Sequence, residues 1–598
     1  MKKHKKKGHN KVVFKEYTQN QLWLLPPSLG ELIPPHHIVR LVSEAIDGMD
    51  MSQLLNAYEG GGASNYHPKM LLKALIYGYV EKLYSSRRIE KALKENICFM
   101  WLCGMQQPDH NTLNRFRKGQ LKNTVKDVFA QVLLLLIEKG IAKIEDYHVD
   151  GTKIESVANR YTFVWAKSVA KYKANLLEKI ALLVEQIEQT NEADSEEEGG
   201  KSKESPNEDD SSNDSNSNPK IEDSDSLKKT IARMNEQLKE ELSKSKRLKN
   251  KVKKLEQEYL EKLSEYEQHE QILNGRSSYS KTDHDATFMR MKEDHMKNGQ
   301  LKAGYNVQIG TSDQIIINYT IHQNATDFPV FIPHIENTEE LLKTINHPLP
   351  KRLIGDAGYG SEQNYDYLQS KGIENYLKYP GYHQEKKSSF KKNGFHTKNL
   401  YYNEQEDCYV CPMGQQMTYQ YTTKQKNSQG FESQARVYKA QNCEGCPLRA
   451  VCHKAKTNRT LYANPNLLKH RKIAKENLDS IRGIKLRKKR CCDVEPVFGH
   501  IKSNRLFKRF MLQSLEKVNI EFGLLAIAHN IKKWWAQTQQ ALSKPIQPLP
   551  PQPPANQQKL TNNSLFLNLY NPFFKFCALI THGRLGFDLE SKFNVGSI

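Results

Sequence analysis

Long hydrophobic runs are missing from this chain of 598 residues. Even the conspicuous stretch Val132 to Ile137 is six residues, against the roughly 18–20 needed to span a bilayer, which excludes the membrane-spanning classes. Apolar residues make up only 38% of the chain, so sizeable segments must lie outside any core. Cysteine is scarce as well. Ten in so long a chain are too few for a disulfide scaffold, and five fall between 408 and 452, which points to a reducing compartment. The opening MKKHKKKGHNK is basic, yet no apolar segment of the secretory type follows it. A soluble, intracellular protein is expected.

What is abundant is positive charge. The formal net charge is +21, and residues 191–225 alone carry −10, which leaves +31 on the rest. Such an excess predicts a polyanionic partner and salt-dependent binding through release of phosphate counterions. Residues 1–20 form a basic tail, read either as solvated or as a phosphate-grasping arm.

The length predicts several domains. Residues 21–145 read as helical: Leu71, Leu72, Leu75, Ile76, Tyr79 and Val80 recur at helical spacing. In HNTLNRFRKG, capped by Asp109, Leu113 and Phe116 should face inward while Asn111, Asn114, Arg115 and Arg117 face out, a helix able to enter a DNA groove. Residues 146–165 begin a strand-containing core, interrupted over 166–278 by two helical runs and an acidic, low-complexity link. Apolar positions at Ile231, Met234, Leu238, Leu248, Val252, Leu255, Tyr259 and Tyr266 predict an imperfect antiparallel coiled-coil hairpin there. The core resumes over 279–380, with a hairpin turning at Gly310 to Asp313, a helix from Phe328, a strand ending at Gly355 and a helix capped by Ser361. Residues 381–480 hold the clustered cysteines, 481–537 return to the core, and 538–598 are a Pro/Gln linker and tail. The fold class expected is multidomain α+β. Its element order, three strands, helix, strand, helix, strand, is the ribonuclease-H-like mixed sheet flanked by helices, here with a helical N-terminal domain, a coiled-coil insertion and a small Cys-rich insertion of the zinc type.

Three acids stand out against this order. Asp150 in YHVDGTKIE follows a strand-like run, Asp356 in LIGDAGYG ends one, and Glu495 in CCDVEPVFGHIK is expected in the first turn of a helix, where Pro496 is tolerated. Two hard cations roughly 3.5–4 Å apart need oxygen ligands from several segments, and three converging carboxylates supply them. KLRKKR at 485–490, Lys502, Arg505, Lys508 and Arg509 bracket the last acid, with Phe498, Phe507 and Phe510 between them as core or stacking residues. Cys408-x2-Cys411 and Cys443-x2-Cys446, with Cys452 and His453 close behind, have the spacing of a zinc site, and the spacing leaves open which four ligate.

DGTKIESVANRYTFVW, MKEDHMKNGQLKAGYNVQIGT, GDAGYGSEQNY and VEPVFGHIKSNRLFKRFMLQSLEKV together resemble the core blocks of bacterial insertion-sequence DDE transposases, in particular the IS eleven-eighty-two family, over roughly residues 15–540. The resemblance implies that Asp150, Asp356 and Glu495 form a catalytic triad holding Mg²⁺ or Mn²⁺. It further implies a structural Zn²⁺ on Cys411, Cys443, Cys446 and Cys452, and a homodimer on terminal inverted repeats and target DNA in the bacterial cytoplasm. A wider signature of related transposases, Tyr-x2-Arg-x3-Glu-x6-Lys, is met at Glu495 and Lys502. Its Tyr and Arg positions fall on Lys488 and Cys491, with Arg490 adjacent. Arg490, Lys502, Arg505, Arg115 and Arg117 are the expected phosphate or DNA contacts. The alternative from another class is a non-catalytic repeat-binding protein or repressor derived from a transposase.

Overall fold

The computed structural model describes residues 28–56, 66–196, 221–240, 246–291, 300–427 and 429–543. The basic stretch 1–20, most of the acidic link and the tail beyond 543 lie outside them. The unit ending at Leu542 is built around one large apolar core shared by the N-terminal helices, a mixed sheet and the C-terminal helices.

The N-terminal helices are α1 (Ile38–Asp47), α2 (Pro68–Val80), α3 (Ser86–Glu95), α4 (His110–Lys118) and α5 (Leu121–Glu138). Helix α2 buries Leu71, Leu72, Leu75, Ile76, Tyr79 and Val80, the stripe its periodicity predicts. Strand β1 (Asp146–Glu155) follows, and its end leads into α6 (Ala166–Glu196), α7 (Ser224–Glu240), α8 (Lys246–Lys254), a π-helical turn at Leu255–Tyr259 and α9 (Leu260–Leu273). A two-stranded ribbon, Phe163–Trp165 with Ser278–Ser280, ties the two ends of this insertion together. The two-helix coiled-coil hairpin expected from sequence is here a three-helix packing. Ile180, Val184 and Ile187 of α6, Leu227, Ile231 and Met234 of α7, and Val252, Leu255 and Leu263 of the last segment share one core. An apolar stripe that serves two neighbours rather than one accounts for the broken heptad seam.

The central sheet contains β1, β2 (Thr287–Arg290), β3 (Leu301–Ser312), β4 (Ile315–His322), β5 (Arg352–Gly355) and β6 (Glu374–Leu377). Across it the order is β4, β3, β1, β5, β6, with β2 beside the first part of β3. β1, β3 and β4 are antiparallel neighbours, whereas β5 and β6 run parallel to β1. Helix α10 (Phe331–Thr344) carries the chain from β4 across the sheet to β5, and α11 (Glu362–Ser370), capped by Ser361, joins β5 to β6, parallel neighbours that require a crossover. The β3–β4 turn lies later than the sequence signals, at Asp313 and Gln314, both in the left-handed region (φ 51° and 65°). A bulge between Gly310 and Thr311 carries β3 through the expected turn.

Beyond β6 the chain forms a separate antiparallel sheet of β7 (Tyr401–Asn403), β8 (Cys408–Val410), β9 (Gln416–Lys426), β10 (Glu432–Ala440) and β11 (Thr460–Ala463). It returns through α12 (Pro465–Asp479), α13 (Ile481–Gly499), a π-helical turn at His500–Asn504 and α14 (Leu515–Ser543). Helix α14 packs so closely that a side chain at Gly523 would meet Tyr319 Oη of β4 at 2.4 Å and Val125 of α5 at 2.7 Å.

Candidate active site

Strand register brings the first two acids together. His148 of β1 is paired with Ile354 of β5, and two residues further on this register leads Asp150, inside β1, and Asp356, the residue after β5, toward the C-terminal end of β5. β5 stops at Gly355, where Asp356 bends the chain and accepts the Gly358 N–H at 2.8 Å. Asp150 is buried and Asp356 half-buried.

Helix α13 lies against β1, β3 and β5 and carries the third acid. Asp493 anchors it, accepting Thr311 Oγ1 (2.7 Å) and the N–H groups of Asp313 (2.8 Å) and Gln314 (3.1 Å), which fixes the helix to the β3–β4 turn. Glu495 follows on the exposed side. The structure corrects its expected place: it lies far inside α13, not in a first turn, and Pro496 is interior. Proline there deprives the Cys492 carbonyl of its helical donor, and Gln314 Nε2 donates to that carbonyl at 2.8 Å instead. Lys502 falls in the π-helical turn that follows α13. Lys502 is buried, and its Nζ donates to the Lys153 carbonyl at 2.9 Å.

Arg490 joins the acids. Its guanidinium lies 3.1 Å from Asp150 Oδ2 and 2.8 Å from Glu495 Oε1. Instead of reaching outward for phosphate, it is a buried cation between two carboxylates.

Three further groups, Asp327, Tyr359 and Lys378, complete the site, and sequence reading passed over them. Asp327, at the turn after β4, accepts Asn306 Nδ2 and Gln308 Nε2, each at 2.9 Å. A Cβ on Gly151 would sit 2.7 Å from Asp327 Oδ1, and one on Gly358 would sit 3.0 Å from Asp356 Oδ1 and 3.8 Å from Asp327 Oδ2. Glycine at both positions therefore makes room for a fourth carboxylate beside Asp150 and Asp356. Below them Tyr359 donates to Gln308 Oε1. Burial pushes its phenol well above the usual range, reinforced by Asp327, Asp150 and Asp356, so it stays a donor. Lys378 follows β6, with its N–H on the Gly355 carbonyl at 3.3 Å. Burial lowers its ammonium pKa, aided by the charge of Arg490 and opposed by Asp356. The signal for Asp327 was only its position just before a helix, which reads equally as a cap.

The donor set is all carboxylate oxygen, the type that Mg²⁺ prefers, and a cation already stands between two members. The residues thus suit a hard divalent metal in kind, although among the described residues no three His, Cys, Asp or Glu side chains converge in a ligating arrangement.

The expected DNA contacts divide sharply. Arg115 is exposed on α4, beside Asn111, Asn114 and Lys118 in an open groove. Arg117 is buried: it donates to the Tyr84 carbonyl (3.1 Å) and Asn114 Oδ1 (2.8 Å), because Leu113, Phe116 and Arg117 fall at i, i+3 and i+4 on one face. Arg505 is also buried, its guanidinium on the Tyr79 carbonyl, while its own carbonyl accepts Tyr84 Oη at 2.7 Å. Arg117 ties the N-terminal helices to one another and Arg505 ties them to the rest of the molecule, and neither can meet a phosphate there. Phe498, Phe507 and Phe510 are core residues.

Cys411, Cys443, Cys446, Cys452 and His453 line one small cavity of about 30 Å³. Cys408 lies apart, its Sγ 3.7 Å from Glu406 Oε2. Arg459 reaches two of the cavity thiols, with Nη1 3.0 Å from Cys452 Sγ and its N–H 3.4 Å from Cys443 Sγ.

Residues 410–535 match the family model described as a transposase DDE domain, and residues 27–119 match that of a transposase domain, DUF772. These matches support an insertion-sequence transposase. The first takes in Glu495 and Arg490, and the second the groove around Arg115; Asp150 and Asp356 lie outside both. No curated protein matches the chain. No helix among the described residues is long and apolar enough to cross a membrane.

Proposed function

We propose that the chain is a DDE transposase with a ribonuclease-H-like core. It binds the terminal inverted repeats of a bacterial insertion sequence as a homodimer and catalyses strand cleavage and strand transfer. The observation that carries this is the placement of the acids: the β1–β5 register leads Asp150 and Asp356 toward the same end of β5, and Arg490 ties Asp150 to Glu495. The antiparallel β4–β3–β1 order continued by parallel β5 and β6 supports the fold assignment.

Asp150, Asp356 and Glu495 are the residues that would hold Mg²⁺. When bound, the metal supplies an activated water and stabilises the charge on the departing 3′ oxygen. The chain's own groups do the rest. Arg490 and Lys378 set positive charge beside the carboxylates, where the non-bridging oxygens of a phosphodiester come to lie. Asp327 orients Asn306 and Gln308 and, through them, the floor of the site. The half-exposed Glu495 leaves one side of the site open to a strand approaching from solvent. Arg115 and its neighbours on α4 are the proposed repeat contact.

Cys411, Cys443, Cys446 and Cys452 are the proposed ligands of a structural Zn²⁺: they line one cavity, although no three of them stand in a ligating arrangement among the described residues. About one zinc per chain is expected by metal analysis, and a Cys443→Ser protein that keeps its full zinc would remove this ligand set.

The decisive experiment is cleavage of a labelled repeat-end duplex with Mg²⁺. Asp150→Ala, Asp356→Ala and Glu495→Ala should each abolish cutting while repeat binding persists. Intact cutting in all three variants would overturn the assignment.

A further inference from the structure

A cavity of about 730 Å³ opens between α12 and the Cys-rich sheet, within the size range of small-ligand sites. Its inner wall is aromatic: Phe390, Tyr402 and Tyr409 line it, backed by Leu400 and Leu461. Its rim carries Lys391, Lys398, Arg471, Lys472 and Lys475 against one acid, Glu385, which is already held by Lys398 and by Tyr379 Oη at 2.7 Å. Arg471 lies over the Tyr379 ring at 5.8 Å, and its buried Nε has no hydrogen-bond partner among the described residues. At the mouth Tyr462 is 60% exposed, an aromatic ring left in water beside cations.

One wall of the cavity reaches the loop that follows Asp356. A Cβ on Gly360, four residues beyond Asp356, would meet the Lys378 carbonyl at 2.3 Å and Tyr379 Cα at 2.7 Å. Tyr379, in the cavity wall, therefore packs directly on the loop that carries Asp356, and the N–H of Lys378 beside it donates to the Gly355 carbonyl at 3.3 Å.

We infer that this cavity receives an unpaired nucleotide of a DNA strand whose duplex lies at the carboxylate site. Aromatic faces accept any base by stacking, and a ring of cations beside them takes the flanking phosphates, the two elements from which single-strand sites are made. The net positive rim favours a polyanion over an apolar peptide. The inference rests on the transposase reading for the choice of DNA, but its test does not depend on cleavage.

The test is fluorescence anisotropy on the full chain in metal-free buffer, with a blunt duplex and the same duplex bearing a short unpaired thymidine tail. The wild type should bind the tailed probe about tenfold more tightly, the order expected for one base–aromatic stack with its phosphates. Lys472→Glu with Lys475→Glu, both exposed positions, and separately Tyr462→Ala, should remove that advantage and leave blunt-duplex affinity within about twofold. Asp150→Ala should keep it, and a wild-type chain that fails to cleave with Mg²⁺ yet prefers tails would sink the transposase chemistry and not the cavity. Equal binding of the two probes by the wild type, equal loss on both in the variants, or a stronger preference for an RNA tail would overturn the inference.

Discussion

Replacing Arg490 with methionine tests whether the acids are held by charge. Of its two ion pairs, the one to Glu495 involves a side chain that is 50% exposed and is worth at most about 1 kcal/mol. The one to Asp150 joins side chains that are 8% and 10% exposed. Removing the cation leaves a carboxylate shut away from water, a loss of about 3–5 kcal/mol when a buried pair is broken from one side. The expected result is a fall of that size in the opening free energy of β1, read by hydrogen exchange at amides of Asp146–Glu155. Asp150→Asn in the same chain removes the stranded charge, so the double variant should recover most of the loss, giving a coupling of more than about 1.5 kcal/mol. Mg²⁺ should raise protection more in Arg490→Met than in the wild type, since it restores positive charge where the guanidinium stood. A loss below about 1 kcal/mol, or strictly additive effects in the double variant, would refute the electrostatic account.

Asp327→Asn should preserve the fold and repeat binding yet reduce cleavage at least tenfold; unchanged cleavage would mean that the fourth carboxylate only buttresses Gln308. Arg115→Ala should weaken repeat binding and lower the slope of log affinity against log salt by about one, whereas Arg117→Ala should lower thermal stability with the slope unchanged. Glu521 is buried on α14 and accepts the Met511 and Leu512 N–H groups at 3.0 Å. Burial pushes its carboxyl from 4.5 up to about 7, so the native state keeps a proton that the unfolded state has released. That contribution is complete below pH 4.5 and is lost as pH rises through 7, on the order of 3 kcal/mol. Urea titrations at stepped pH should show this decline in the wild type and a flatter profile in Glu521→Gln.

The strand order was legible because β-branched and apolar runs alternated with capped helices: Ser361 does cap α11, and Tyr305, Val307 and Ile309 are buried. Charged side chains were harder to assign, since charge alone does not reveal which way a residue points. Arg117 and Arg505 looked like phosphate contacts, yet Arg117 fills a polar niche among the N-terminal helices and Arg505 one between those helices and the rest of the core. For Arg117 the i, i+3, i+4 spacing with Leu113 and Phe116 was a readable warning. For Arg505 no local signal existed, because its partners lie on α2, over 400 residues earlier. Glu495 was found in the right segment but misread in its helix, because the acceptor that permits Pro496 to sit inside α13 is satisfied by Gln314, on another element.

By itself the sequence determined which segments become strands and helices, since periodicity, caps and turn residues act over a few positions. It also singled out three acids by their order and surroundings. Only the tertiary structure decided that Arg490 is the shared counter-ion of Asp150 and Glu495, that Asp327 comes close across Gly151 and Gly358, and that an aromatic, cationic cavity opens against the loop after Asp356. Each of these depends on strand register and helix docking, through which residues far apart in the chain come within a few ångströms of one another.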